Sequence, residues 1–146
     1  MDSNAIAQLL RSTKTIAIVG LSPKPLRESF GVAHYLQSVG YRIMPVNPVV
    51  AATNDPQILG ERCYATLADA SKALPAGQRI DIVNIFRNSD DVPPVVDEAI
   101  AVQAGAVWMQ LGIAHTAAAA KANTAGLQVV QDRCIKIDHQ QLRGYR

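Results

Sequence analysis

Residues 15–31 read TIAIVGLSPKPLRESFG, and this stretch decides the fold. TIAIV is a short run rich in β-branched residues, the composition of a strand buried on both faces. Gly20 closes the run where the chain must turn tightly. The proline-bearing SPKPLR then leads, from about residue 28, into a segment with helical spacing. Strand, turn and helix in that order make one βα unit. The same change of period recurs along the chain. Strands are predicted near 15–20, 41–46, 80–86, 106–111 and 127–131. Helices are predicted near 28–39, 65–74, 91–104 and 115–125, with a capping helix at about 3–11. Strands joined by helical crossovers run parallel, with right-handed connections. The expected fold is therefore α/β, a doubly wound parallel sheet of about five strands with helices on both faces.

Composition agrees with that architecture. The chain has 146 residues, the size of one domain spanning 1–146. Apolar residues make up 49% and aromatics only 5%, so Ala, Val, Ile and Leu must fill the interior. A formal charge of +2 excludes a general nucleic-acid binder with a basic face, and any anion site must be local. Cys63 and Cys134 stand too far apart for a metal knuckle, and no metal-ligand spacing occurs elsewhere. Two isolated thiols and an N-terminus without a secretory pattern point to a cytoplasmic protein. Residues 99–120 carry no Asp, Glu, Lys or Arg, but Gln103, Gly105, Gln110 and Gly112 interrupt them, so no membrane span is expected. Gly40, Gly105 and Gly126 each precede a predicted strand and are expected as left-handed helix caps. The segment 48–62, PVVAATNDPQILGER, is expected as a loop long enough to lie over a site.

Open parallel sheets bind ligands outside the carboxyl ends of their strands, near the switch point beside the first strand. That rule selects residues 20–29, 47–48, 86–87, 110–113 and 132–134. The first loop is not the GxGxxG of a Rossmann dinucleotide turn. Ser22 replaces the second glycine, and Pro23 and Pro25 remove two amide donors. Ser22 and Ser29 offer hydroxyls, Lys24 and Arg27 offer charge, and the following helix start can receive a phosphate along its dipole. At the end of the second strand, where an NAD protein commonly places an acid for the ribose diol, stands Asn47 followed by Pro48. NAD is thereby disfavoured, and a ligand with a phosphorylated ribose is better suited. Arg87 adds a cation to the same rim. The plainer alternative makes Lys24 and Arg27 solvated loop charges and Ser29 a helix N-cap.

Five blocks then appear in order: VGLSPKPLRESFGVAHYL, YRIMPVNP, DIVNIFRNSDDVPPVVDEAI, VWMQLGI and DRCIKIDH. Together they resemble the stand-alone CoA-binding protein family, similar to the CoA-binding domain that begins succinyl-CoA synthetase alpha subunits. The resemblance spans roughly residues 12–142. It implies a Rossmann-like domain holding coenzyme A or an acyl-CoA by its ADP part, with the diphosphate on the first loop. Carried over by position, the implied contacts are Gly20, Ser22, Lys24, Arg27 and Ser29. Asn47 and Pro48 match the VNP block, Phe86 and Arg87 the block after the third strand, and Gln110 and Gly112 the WxQxG block. Two residues depart from the family pattern: Lys24 stands where relatives often carry a smaller polar residue, and Glu28 where many carry proline. Glu28 should oppose an incoming phosphate at the helix start.

No catalytic constellation is expected. His34, His115 and His139 are scattered, His34 on a helix flank and His115 at a helix start. The chain lacks room for the phosphohistidine and ATP module of the related ligases. Cys134 lies between Arg133 and Lys136 and is open to two readings, a packed inert thiol or one that forms a mixed disulfide with CoA. Cys63 and Trp108 are expected to pack, and Asp90 and Asp91 to cap the helix that follows. The functional expectation is a CoA-binding protein without turnover of its own, with an acyl-CoA enzyme as a possible partner. A nicotinamide-nucleotide oxidoreductase or redox domain, and a scaffold that has lost its ligand, are the alternatives.

Overall fold

The chain opens with helix α1 (Ser3–Ser12), capped by Asp2, whose carboxylate accepts the Ala5 amide at 2.8 Å. In this computed structural model, which describes residues 1–144, β1 (Thr15–Val19), α2 (Glu28–Ser38) and β2 (Arg42–Val46) follow. Next come a short helix α3 (Pro48–Ala51), a hairpin of β3 (Gln57–Ile58) and β4 (Glu61–Arg62), and α4 (Leu67–Lys72). The second half contains β5 (Ile82–Ile85), a 3-10 turn (Ser89–Asp91), α5 (Val92–Ala101), β6 (Ala106–Met109), α6 (Thr116–Thr124), β7 (Gln128–Val130) and α7 (Ile135–Gly144).

The main sheet has the order β2-β1-β5-β6-β7, with every neighbouring pair parallel. This is the Rossmann-like doubly wound α/β fold expected from sequence, with all five strands where the pattern placed them. Along each strand the side chains alternate between two cores. Ala17, Val19, Val83, Ile85, Val107 and Met109 pack with the apolar faces of α4, α5 and α6. Ile16, Ile18, Ile82, Ala106 and Trp108 pack with α1, α2 and the start of α7. Trp108 is wholly buried, and its indole Nε1 donates to the Arg133 carbonyl at 2.8 Å. A fully buried side chain of this kind contributes about 1.5–3 kcal/mol from removal of its apolar surface.

Several local expectations are corrected. Segment 48–62 is not a plain loop: it holds α3 and the β3–β4 hairpin, and Tyr64 just beyond bridges Val46 at the sheet edge. Gly40 and Gly126 do take left-handed conformations, at φ +104° and +94°, but Gly105 does not. The left-handed residue after α5 is Gln103, at φ +58°. Gly105 is needed for closeness, because a Cβ there would lie 2.8 Å from the Asp81 carbonyl oxygen. Asp90 and Asp91 lie in the 3-10 turn, and Asp91 precedes α5 without a side-chain capping bond. Helix α7 has no counterpart in the sequence reading.

Helix α7 is fastened on the face of the sheet that α1 and α2 also cover. His139 is buried there, its Nδ1 hydrogen-bonded to the Tyr35 hydroxyl at 2.7 Å, and its ring meets Tyr35 and Tyr41 edge-on. The Tyr41 hydroxyl donates to the Leu10 carbonyl at 2.7 Å. Burial, with a smaller contribution from Tyr35, pushes the Tyr41 phenol up to about 12. The folded state therefore holds this proton more tightly than the unfolded chain does. The resulting stability is complete below pH 10 and is lost as pH rises towards 12. Urea titrations in that interval should show stability falling with pH, with a shallower fall in Tyr41→Phe. Equal slopes for the two proteins would remove Tyr41 as the cause.

Candidate functional site

The sheet order places the switch point between β1 and β5. Helix α2, after β1, covers one face, and α5, after β5, covers the other, so their connections leave the crevice open between the two strand ends. Gly20 sits in that crevice at φ +86°, with its amide bonded to the Val46 carbonyl at 3.0 Å. A Cβ at Gly20 would lie 2.3 Å from the Phe86 carbonyl oxygen and 3.1 Å from Arg87 Cδ. The first loop therefore passes directly against the end of β5.

The loop is internally fixed. Leu21 is wholly buried, the Ser22 amide donates to Ser29 Oγ at 3.0 Å, and the Lys24 amide donates to Ser22 Oγ at 3.1 Å. A turn closes with the Arg27 amide on the Lys24 carbonyl. Arg27, not Ser29, is the N-cap of α2, and its side chain makes no capping bond. Among the described residues, the amides of Glu28 and Ser29 have no acceptor. Gly20, Ser22, Lys24, Arg27, Ser29 and Phe86 surround a cavity of about 420 Å³, which Glu28 also lines. An eleven-residue helix with open amides, flanked by two cations, is a setting for a phosphate.

The other sequence candidates take supporting positions. Asn47 caps α3, its Oδ1 accepting from the Val49 and Val50 amides at 3.0 and 3.3 Å. Its Nδ2 donates to the Leu21 carbonyl at 3.0 Å, tying the second strand's loop to the first. A carboxylate at this position could not make that donation, which gives the absence of an acid a structural reason. Pro48 is exposed at the start of α3. Gln110 is buried beneath the rim, its Oε1 accepting from the Ile135 amide and from Asn84 Nδ2. Asn84 Oδ1 and Gln110 Nε2 have no hydrogen-bond partner there. Gly112 is left-handed at φ +85°, and its amide donates to Asp132 Oδ1 at 2.7 Å.

Cys134 is half-buried against the α1–α2 side of the core. Its neighbouring cations face other partners. Arg133 forms a two-point pair with Asp138, and Lys136 lies 5.6 Å from the centre of the Tyr35 ring. Burial pushes the Cys63 thiol up, and its Sγ donates to the Asn47 carbonyl. His115 caps α6 by accepting the Ala118 amide, and His34 is exposed on α2. Among the described residues no group of three or more His, Cys, Asp or Glu could hold a metal ion, and no helix is long and apolar enough to cross a membrane. Sequence reading missed three large apolar side chains left exposed after the strands, Leu26, Val49 and Leu111. Leu26 and Val49 are apolar residues within expected loops, a readable signal, whereas Leu111 closes a predicted strand and gave none.

Fold and rim together define a Rossmann-like domain with a candidate ligand site at its switch point. A family model described as a CoA binding domain matches residues 14–140, and the chain belongs to that family. A CoA-related binding role follows from that membership. The uncharacterized protein YneT of Bacillus subtilis (strain 168) is 35% identical over 134 residues, covering 92% of this chain and 91% of that protein. Among solved structures, cell-free ID.343 from Thermus thermophilus has a TM-score of 0.86 at 33% identity, covering 97% of this chain and 99% of that one. A hypothetical protein from Pyrococcus horikoshii OT3 has a TM-score of 0.84 at 33% identity, covering 99% and 94% respectively.

Proposed function

We propose that this protein binds coenzyme A or an acyl-CoA by its ADP part at the carboxyl ends of β1 and β5, and performs no reaction of its own. The observation that carries this reading is the open N-terminus of α2 beside the Gly20 turn, facing a cavity that Lys24 and Arg27 also line. A diphosphate fits that position: backbone amides and the helix dipole meet its charge, and the two cations supply charge-assisted bonds. Arg87, whose side chain passes over Gly20, stands ready for a further phosphate. Glu28 opposes the anion from the same cavity and is outnumbered by these cations. Asn47 and Gln110 act as supports, fixing the loops that the ligand contacts. With Arg133 held by Asp138, Cys134 is read as a packing residue with no covalent role.

The reading places the protein as a carrier or sensor of CoA, with a cytoplasmic location and an acyl-CoA enzyme as partner. Leu26, fully exposed in the first loop, Val49 and Leu111 supply apolar contact at the rim for such a partner. Calorimetric titration with CoA, acetyl-CoA, NAD and NADP in parallel tests the ligand. Selective binding of the CoA forms is expected, and preference for NAD or NADP would overturn the reading in favour of a redox domain. Silence from all four, with no CoA found by mass spectrometry of the purified protein, would instead identify a scaffold. Arg27→Ala should weaken CoA binding by about 1.5–3 kcal/mol, roughly 10- to 150-fold, through loss of a charge-assisted phosphate bond. Unchanged affinity would move the diphosphate elsewhere.

A further inference from the structure

Helices α1 and α7 leave a groove between them, away from the switch-point cavity, with a volume of about 430 Å³. That volume lies within the range of small-molecule pockets. Its chemistry is sharply divided. Ile6, Ala7 and Leu142 provide an apolar floor, while Arg11 from α1 and Arg133 from the start of α7 bring two guanidinium groups to the lining. Among the described residues, the only carboxylate that lines it is Asp138, whose side chain is 6% exposed, and both its oxygens accept from Arg133 at 2.8 Å. Arg133 therefore neutralises Asp138, and among the described lining residues Arg11 is left as the net charge of the groove.

The pair is also rigid. The Arg133 carbonyl accepts the Trp108 indole, and its amide reaches the Met109 carbonyl, so the guanidinium hangs from the core of the sheet. An ion pair with one buried partner is weak evidence of stabilisation by itself, because desolvation of the carboxylate offsets the attraction. Here it keeps the floor from carrying an uncompensated negative charge that would repel an anion.

We propose that the α1–α7 groove is a second binding site, for a small amphipathic carboxylate whose head group pairs with Arg11 and whose hydrocarbon chain lies along Ile6, Ala7 and Leu142. The site is independent of CoA binding at the switch point. Octanoate is a suitable probe, with octanol and acetate as partners that keep only the chain or only the charge.

The test is an amide NMR titration of the isotope-labelled protein with each of the three. Octanoate should give saturating shifts at Ile6, Ala7 and Leu142, and octanol and acetate should bind there several-fold more weakly. Arg11→Gln, at an exposed position, should weaken octanoate about fivefold, the share of a solvent-facing charge pair. Arg27→Ala should leave octanoate binding unchanged. Ala7→Trp fills the groove and should abolish the shifts in a protein whose spectrum is otherwise folded. Shifts that never saturate, that map to the switch-point rim, that are matched by octanol, or that survive in folded Ala7→Trp would each overturn the proposal.

Discussion

Gly20→Ala is expected to destabilise the protein by about 2–5 kcal/mol and to remove CoA binding even where the variant remains folded. Two effects add. A left-handed φ of +86° strains any residue with a Cβ, by about 1–2 kcal/mol. The added methyl would also meet the Phe86 carbonyl oxygen at 2.3 Å, and overpacking of this kind costs about 1–3 kcal/mol. Neither strand can yield easily, since β1 is paired on both sides. The relief available is to push the first loop away from β5, which opens the crevice and misplaces Ser22, Lys24 and the start of α2. Gly31→Ala is the matched control. Gly31 lies within α2 with nothing within 4 Å of its would-be Cβ, so alanine there should raise stability by up to about 1 kcal/mol. Urea unfolding followed by circular dichroism, with CoA titration of both variants, reads the contrast. Similar behaviour of the two would mean that the close approach at Gly20 is not what shapes the site.

Trp108→Ala should be the other severe substitution, at about 3–5 kcal/mol. The side chain is wholly buried beneath α7, and its loss leaves a cavity that flanking strands cannot close. Trp108→Phe separates packing from hydrogen bonding. Phenylalanine retains most of the apolar volume but withdraws the indole donor from the Arg133 carbonyl, for about 1–3 kcal/mol. Because Trp108 is the single tryptophan, unfolding of these variants is followed by circular dichroism instead of fluorescence. A cost for Trp108→Ala under 1 kcal/mol would contradict the packing described here.

Much of the fold was legible because the strands are short apolar runs separated by helical patterns and glycine turns. The switch point followed from order alone, and with it the grouping of Gly20, Ser22, Lys24, Arg27 and Ser29. What side chains do at strand ends was less legible. Asn47 and Gln110 stand at rim positions, yet the Asn47 amide and the Gln110 Oε1 are spent tying loops and strands together, which depends on orientation more than on residue type. Gly105 was misread because a close backbone approach and a left-handed turn both favour glycine. Helix α7 was missed because its apolar side chains are few, and its docking rests on Asp138 and His139, polar residues whose burial no hydrophobic period announces.

The placement of β1 inside the sheet, between β2 and β5, has a consequence for how the protein is made. Its first neighbour, β2, is available early, but its second, β5, lies far along the chain: the Lys14 amide finds its Asp81 acceptor 67 positions away. On a ribosome adding about 5–20 residues per second, the amino-terminal half therefore waits several seconds with one edge of β1 open. The crevice has one wall from residues 20–29 and the other from 86–87, so the ligand has nothing to enter until the second wall has emerged. A ligand held in that crevice, as proposed, would therefore stabilise only the finished domain and would take no part in guiding its assembly.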